Sequence, residues 1–178
     1  LTHVIFVDLN LNGELDSDGR FSLRGLGEGE GASTAFLREF LLNVENMTLR
    51  NNVLHLRTPA GGSRRLGLDL RLSRDGSQRH LEARLTSARG TVISLLADGV
   101  GDPTRPESFV GESYVVIQAT DLAAAREFIS AQPLPAWAEG ALELQLWLGW
   151  DADVPSMELQ LEGRDWLISS ANDSWELP

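Results

Sequence analysis

A mainly β fold built from long antiparallel strands is predicted by three features of the sequence. Apolar and polar residues alternate at period two through most of the chain, the pattern of strands with one buried face. The alternating runs reach about nine to twelve residues, where five or six is usual. Turn signals such as Asp75-Gly76 fall between consecutive runs, as expected of hairpins.

The elements follow in order. Ile5, Val7, Leu9 and Leu11 fall on one strand face, with Asp8, Asn10 and Asn12 on the other. Asp16-Ser-Asp18-Gly19 reads as a turn, and Phe21 and Leu23 return as the second arm of a hairpin. Thr34 or Ser33 caps a short helix carrying Phe36, Leu37, Phe40 and Leu41. Leu66, Leu68, Leu70 and Leu72 alternate with Gly67, Asp69 and Arg71. After Asp75-Gly76, Leu81, Ala83 and Leu85 alternate with His80, Glu82 and Arg84. Val115, Ile117 and Ala119 share a face of the next strand. Asp121 caps a second short helix over residues 122–129, stopped by Pro133 and Pro135. Leu142, Leu144, Leu146, Leu148 and Trp150 oppose Glu143, Gln145 and Trp147. Met157, Leu159 and Leu161 then oppose Glu158, Gln160 and Glu162. No linker divides the chain, so residues 1–178 read as one β-rich module.

Strands this long and one-sided leave a wide apolar face that must be covered. A second sheet, curling of the sheet on itself, or a bound apolar ligand would each cover it.

Composition narrows the function. With 42% hydrophobic and 23% charged residues the chain is an ordered protein. It has no cysteine, which removes disulfides, thiolate metal sites and a cysteine nucleophile. The net charge of −11 opposes nucleic-acid binding. All basic residues are arginine: residues 1–89 hold 12 Arg against 11 acids, residues 90–178 hold 3 against 15. Arg57, Arg71 and Arg84 fall in register with polar neighbours, which makes them a solvated face with Asp69 and Glu82 within cross-strand reach. No 20-residue apolar run or signal-like start occurs, and the opening Leu1 is expected to mark a segment of a longer chain.

Motifs that carry chemistry are scarce. Asp8-Leu-Asn10-Leu-Asn12-Gly13 with Asp16 matches part of a calcium loop, but Gly19 stands where a bidentate Glu is needed. A polar strand face accounts for it better, and no metal is expected. No nucleophile elbow, zinc motif or phosphate loop is present, so no catalytic residue and no cofactor is assigned. His55 and His80 sit on polar strand faces. All five tryptophans lie from Trp137 onward; Trp147 alone shares parity with Glu143 and Gln145, the arrangement in which an aromatic ring stacks on a sugar.

Four stretches taken in order carry a resemblance. They are FLLNVENMTLRNNVLHLR (Phe40–Arg57), RRLGLDLRLSRDGSQRHLEARL (Arg64–Leu85), FVGESYVVIQATDLAAAREFI (Phe109–Ile129) and WAEGALELQLWLGWD (Trp137–Asp151). With a strand pair ending in LRNN, a leucine strand, a DLAA helix and a Leu/Trp strand, the chain resembles the AsmA-like superfamily over about residues 37–170. Within it the order is most like the large YhdP/TamB-type envelope proteins; residues 1–32 add a preceding hairpin. The resemblance implies a curved, groove-like sheet, a taco or half-barrel, with two short α-helices. It also implies a periplasmic module of a parent protein anchored in the inner membrane and reaching the outer membrane. The concave apolar face would carry phospholipid acyl chains, with no catalytic residues.

The residues expected to line that groove are Leu66, Leu68, Leu70, Val115, Ile117, Leu142, Leu144, Leu146, Leu148, Leu159 and Leu161. The alternative is a β-sandwich using the same leucines as a closed core, which binds glycan or protein through the Trp-rich acidic C-terminal third and Trp147.

Overall fold

A computed structural model describes residues 3–17, 21–24, 43–58, 62–101, 109–121, 138–151, 154–169 and 174–177. They form eleven strands: β1 (Val4–Val7), β2 (Asn10–Leu15), β3 (Phe21–Arg24), β4 (Asn46–Arg57), β5 (Ser63–Asp75), β6 (Gln78–Ser87), β7 (Val92–Val100), β8 (Val110–Ala119), β9 (Ala138–Asp151), β10 (Val154–Ser169) and β11 (Ser174–Leu177). Both expected helices fall on residues outside the described set.

All eleven strands belong to one open, curled sheet. From β4 to β11 every strand pairs antiparallel with its successor. All described strands belong to this one sheet, so among the described residues the two-sheet sandwich is not formed.

Turn chemistry sets the hairpins. Between β5 and β6, Gly76 takes a φ of 59° while Ser77 stays at negative φ, the II′ pattern that wants glycine first. Between β6 and β7 the Ser87 hydroxyl accepts from the N–H groups of Arg89 (3.2 Å) and Thr91 (3.1 Å), closing the loop around Gly90. The β2–β3 hairpin expected around Asp16–Gly19 is present, with Leu15 opposite Phe21.

The N-terminal strands depart from expectation. β1 and β2 lie end to end along β4, and both are parallel to it. Val4 pairs with Met47 and Phe6 with Leu49, so these two join the leucine face while Ile5 and Val7 are half-exposed on the other. Asp8 then adopts a φ of 56° and breaks the alternation, after which Leu11 returns to the leucine face opposite Leu54. Ile5, Val7 and Leu11 thus do not share a face, because a left-handed residue between strands resets their parity. The stretch Leu49-Arg50-Asn51-Asn52 ends no strand. Arg50 and Asn51 oppose Asp69 alone, a β-bulge inside the twelve-residue β4. Asn51, at a φ of 57°, donates from its backbone to Asp69 Oδ1 (2.7 Å) and from its side chain to Asp8. Asn52, next along, is buried, and its Oδ1 accepts from the Leu9 N–H at 2.8 Å in the gap between β1 and β2.

Candidate functional site

Residues paired across strands share a face, so the registers define each face without ambiguity. Three rows of side chains, all apolar but for Ser113, cross the sheet. One runs Leu68, Leu85, Ile93, Ile117, Leu144, Leu161; the next Leu70, Ala83, Leu95, Val115, Leu146, Leu159; the third Leu72, Leu81, Ala97, Ser113, Leu148, Met157. All eleven leucine, valine and isoleucine residues expected from the sequence lie on this one face. From β4 to β10 it spans six inter-strand gaps, roughly 29 Å at about 4.8 Å each.

Burial varies along the strands. Leu54, Leu66, Ala119 and Leu142 are enclosed at one strand end, together with Ser87 and Thr91. Val44, Met47 and Leu72 form a small core at the other, packed by Val4, Phe6, Leu70 and Leu81. Between these ends Leu68, Leu144, Leu146 and Leu148 are only half-buried, and on β10 Leu159 is 55% and Leu161 51% exposed. Leu66 and Leu142 therefore support the face from its enclosed end, and exposure rises from the middle rows to β10. At the far strand end Gly99 and Gly111 oppose each other beneath the Phe109 ring; a Cβ on Gly111 would meet the Asp98 carbonyl oxygen at 2.5 Å. Phe109 also sits 6.3 Å from Trp150, centroid to centroid. This aromatic pair borders the leucine rows.

The opposite face carries the charged residues, with Ile5, Val7, Leu96, Val100 and Val110 exposed among them. Registers place Asp69 opposite Arg84 and Arg71 opposite Glu82, the expected cross-strand charge pairing. His80 Nδ1 lies 2.8 Å from Asp98 Oδ1. Further along, Leu96, Tyr114, Trp147 and Glu158 form one cross-strand row. The Tyr114 and Trp147 rings are 5.0 Å apart and tilted by 30°, bordering an open depression of about 650 Å³ that Glu112, Asp98 and Ser156 also line. The Tyr114 hydroxyl donates to Gln145 (2.9 Å), whose amide donates to Glu143 (2.7 Å). Gln118 donates to the other oxygen of Glu143 at 3.0 Å. These two amides, Gln118 foremost, hold the Glu143 carboxyl below its ordinary value, with Arg164 adding a weaker attraction against a slight opposing effect of burial.

Within the Asp8–Asp16 stretch, Asn10–Leu15 form strand β2. No group of three or more candidate metal ligands occurs among the described residues. No helix among them is long and apolar enough to cross a membrane.

Strand β7 leaves no alternation signal in the sequence. Its stretch Val92–Val100 puts Ile93 and Leu95 on the leucine face and Leu96 and Val100 on the other, so apolar residues on both sides hide the alternation. No protein-family model, no curated protein and no solved structure matches this chain. The likeness to the AsmA-like superfamily rests on the order of its sequence features, of which LRNN proves to be a bulge within a strand.

Proposed function

We propose that the leucine face is a non-catalytic lipid-shielding surface on which phospholipid acyl chains lie. The module would belong to a periplasmic protein, anchored in the inner membrane, that passes phospholipid toward the outer membrane along a groove formed by the curled sheet. The observation that carries this reading is the middle of the face: two contiguous apolar rows and a third broken only by Ser113, mostly half-buried, with no second sheet among the described residues. Apolar patches of this extent mark binding surfaces on soluble proteins. Covering a half-exposed leucine releases on the order of 1 kcal/mol, and hydrocarbon asks for no directional polar partner. Native mass spectrometry of the purified chain tests this reading. Co-purifying phospholipid is expected, and is lost in Leu144→Asp and Leu146→Asp variants that keep their β circular dichroism. Absence of lipid from the unsubstituted chain after expression in a lipid-rich host would refute it.

A second reading is favoured by the Tyr114–Trp147 depression, where an aromatic face borders carboxylates and a serine hydroxyl as in sugar sites. Under it, Trp147→Ala lowers glycan affinity at least tenfold in titration calorimetry with unchanged melting. Unchanged affinity in that variant would remove it.

A further inference from the structure

β10 runs for sixteen residues, yet β11 pairs only with its last four, Trp166–Ser169. From Val154 to Asp165 no strand among the described residues pairs with its outer side. The backbone groups along that edge stand ready to extend the sheet, an arrangement that proteins usually blunt with proline, a bulge, a short edge or inward charge. Here Pro155 and the bulge at Arg164–Leu167 lie at the two ends, and Ser156–Gly163 between them carries neither. The same segment exposes Met157 (71%), Leu159 (55%) and Leu161 (51%) on the leucine face.

The other face selects the partner. It presents Glu158, Gln160 and Glu162, all exposed, and Gln160 already donates to Glu162 at 2.9 Å. Two copies pairing antiparallel about Gln160 would set Glu158 against Glu162 twice, and like charges directly opposite oppose pairing. A strand with Arg or Lys at those positions meets opposite charge instead, while its alternate apolar residues continue the leucine rows. We propose that Ser156–Gly163 is a strand-addition site for an extended segment of a partner protein that alternates apolar and basic side chains.

The test uses the lipid-free full chain and an acetylated, amidated octapeptide alternating Arg and Leu. At saturation it slows hydrogen exchange of outward-facing amides within Ser156–Gly163 by about tenfold or more. A Glu/Leu octapeptide does not, and the double variant E158R/E162R reverses that preference. A fully N-methylated Arg/Leu peptide, which cannot join the ladder, does not bind. Equal binding of the N-methylated peptide, binding without slowed exchange in that segment, or no binding up to the solubility limit each overturns the proposal. None of these outcomes depends on lipid, so they leave the lipid reading to its own experiment.

Discussion

Leu144 and Leu161 lie directly opposite each other on β9 and β10, the first half-buried and the second 51% exposed. Leu144 has a paired strand on either side, whereas the outer side of β10 at Leu161 carries none among the described residues, and this difference sorts the leucines by what each contributes to stability.

Leu66, 1% exposed, contributes to the folded state; Leu159, 55% exposed, contributes little. Leu66→Ala is expected to lower unfolding free energy by about 2–5 kcal/mol. Leu159→Ala is expected to stay within about 1 kcal/mol of the parent chain. Urea denaturation of the two variants measures the contrast, and equal losses would mean that the face is closed.

Asn52 supplies the acceptor for Leu9 where the backbone ladder between β1 and β4 is interrupted, and it is 2% exposed. Asn52→Leu leaves the Leu9 N–H unpartnered and is expected to destabilise by about 1–3 kcal/mol despite adding apolar surface. In hydrogen exchange, the loss should appear first as faster exchange at Leu9.

Two strand glycines predict opposite tolerances. At Gly111 an added methyl meets the Asp98 backbone oxygen at 2.5 Å and the Phe109 ring at 2.8 Å, so Gly111→Ala forces backbone movement and costs about 1–3 kcal/mol. At Gly149 the near atom is Ser156 Oγ, also at 2.5 Å, and an exposed serine can rotate away. Gly149→Ala should therefore melt within a few degrees of the parent chain, on the order of 1 kcal/mol or less.

Glu143 gives a pH dependence of definite sign. Its folded pKa lies below the ordinary carboxylate value because Gln118 and Gln145 donate to the ionised form. A depressed pKa contributes stability that is present above about pH 4.3, the unfolded value, and is lost as pH falls through the folded one. The stability difference between the parent chain and Glu143→Gln should be constant at neutral pH and shrink only on acidification below that range. A difference that grows on acidification would mean the opposite shift.

Much of this architecture is legible in the sequence because period two is unambiguous where leucines alternate with charged residues. Leu66–Leu72, Leu81–Leu85, Leu142–Leu148 and Met157–Leu161 all fall on the expected face, and Trp147 falls on the polar one. The pattern misleads at Asp8, where one left-handed residue resets the parity that Ile5 and Val7 share with Leu11. It is silent in Val92–Val100, where both faces are apolar. The parallel seating of β1 and β2 on β4 has no local signal, since strand direction depends on the connection and not on composition. Nor does alternation distinguish a closed core from an open face. That difference lies in what stands opposite the sheet, which only the three-dimensional pairing reveals.

The absence of native cysteine allows the central claim to be tested directly. A single cysteine at Leu146, on the apolar face, and another at Gln145, its neighbour on the polar face, can each carry an environment-sensitive fluorophore. Fatty acid bearing a nitroxide on its acyl chain is then added below its micelle concentration. Saturable quenching at position 146 and none at 145 is the predicted result. Equal quenching at both positions, or none at 146 in a folded chain, would contradict an apolar face open to hydrocarbon.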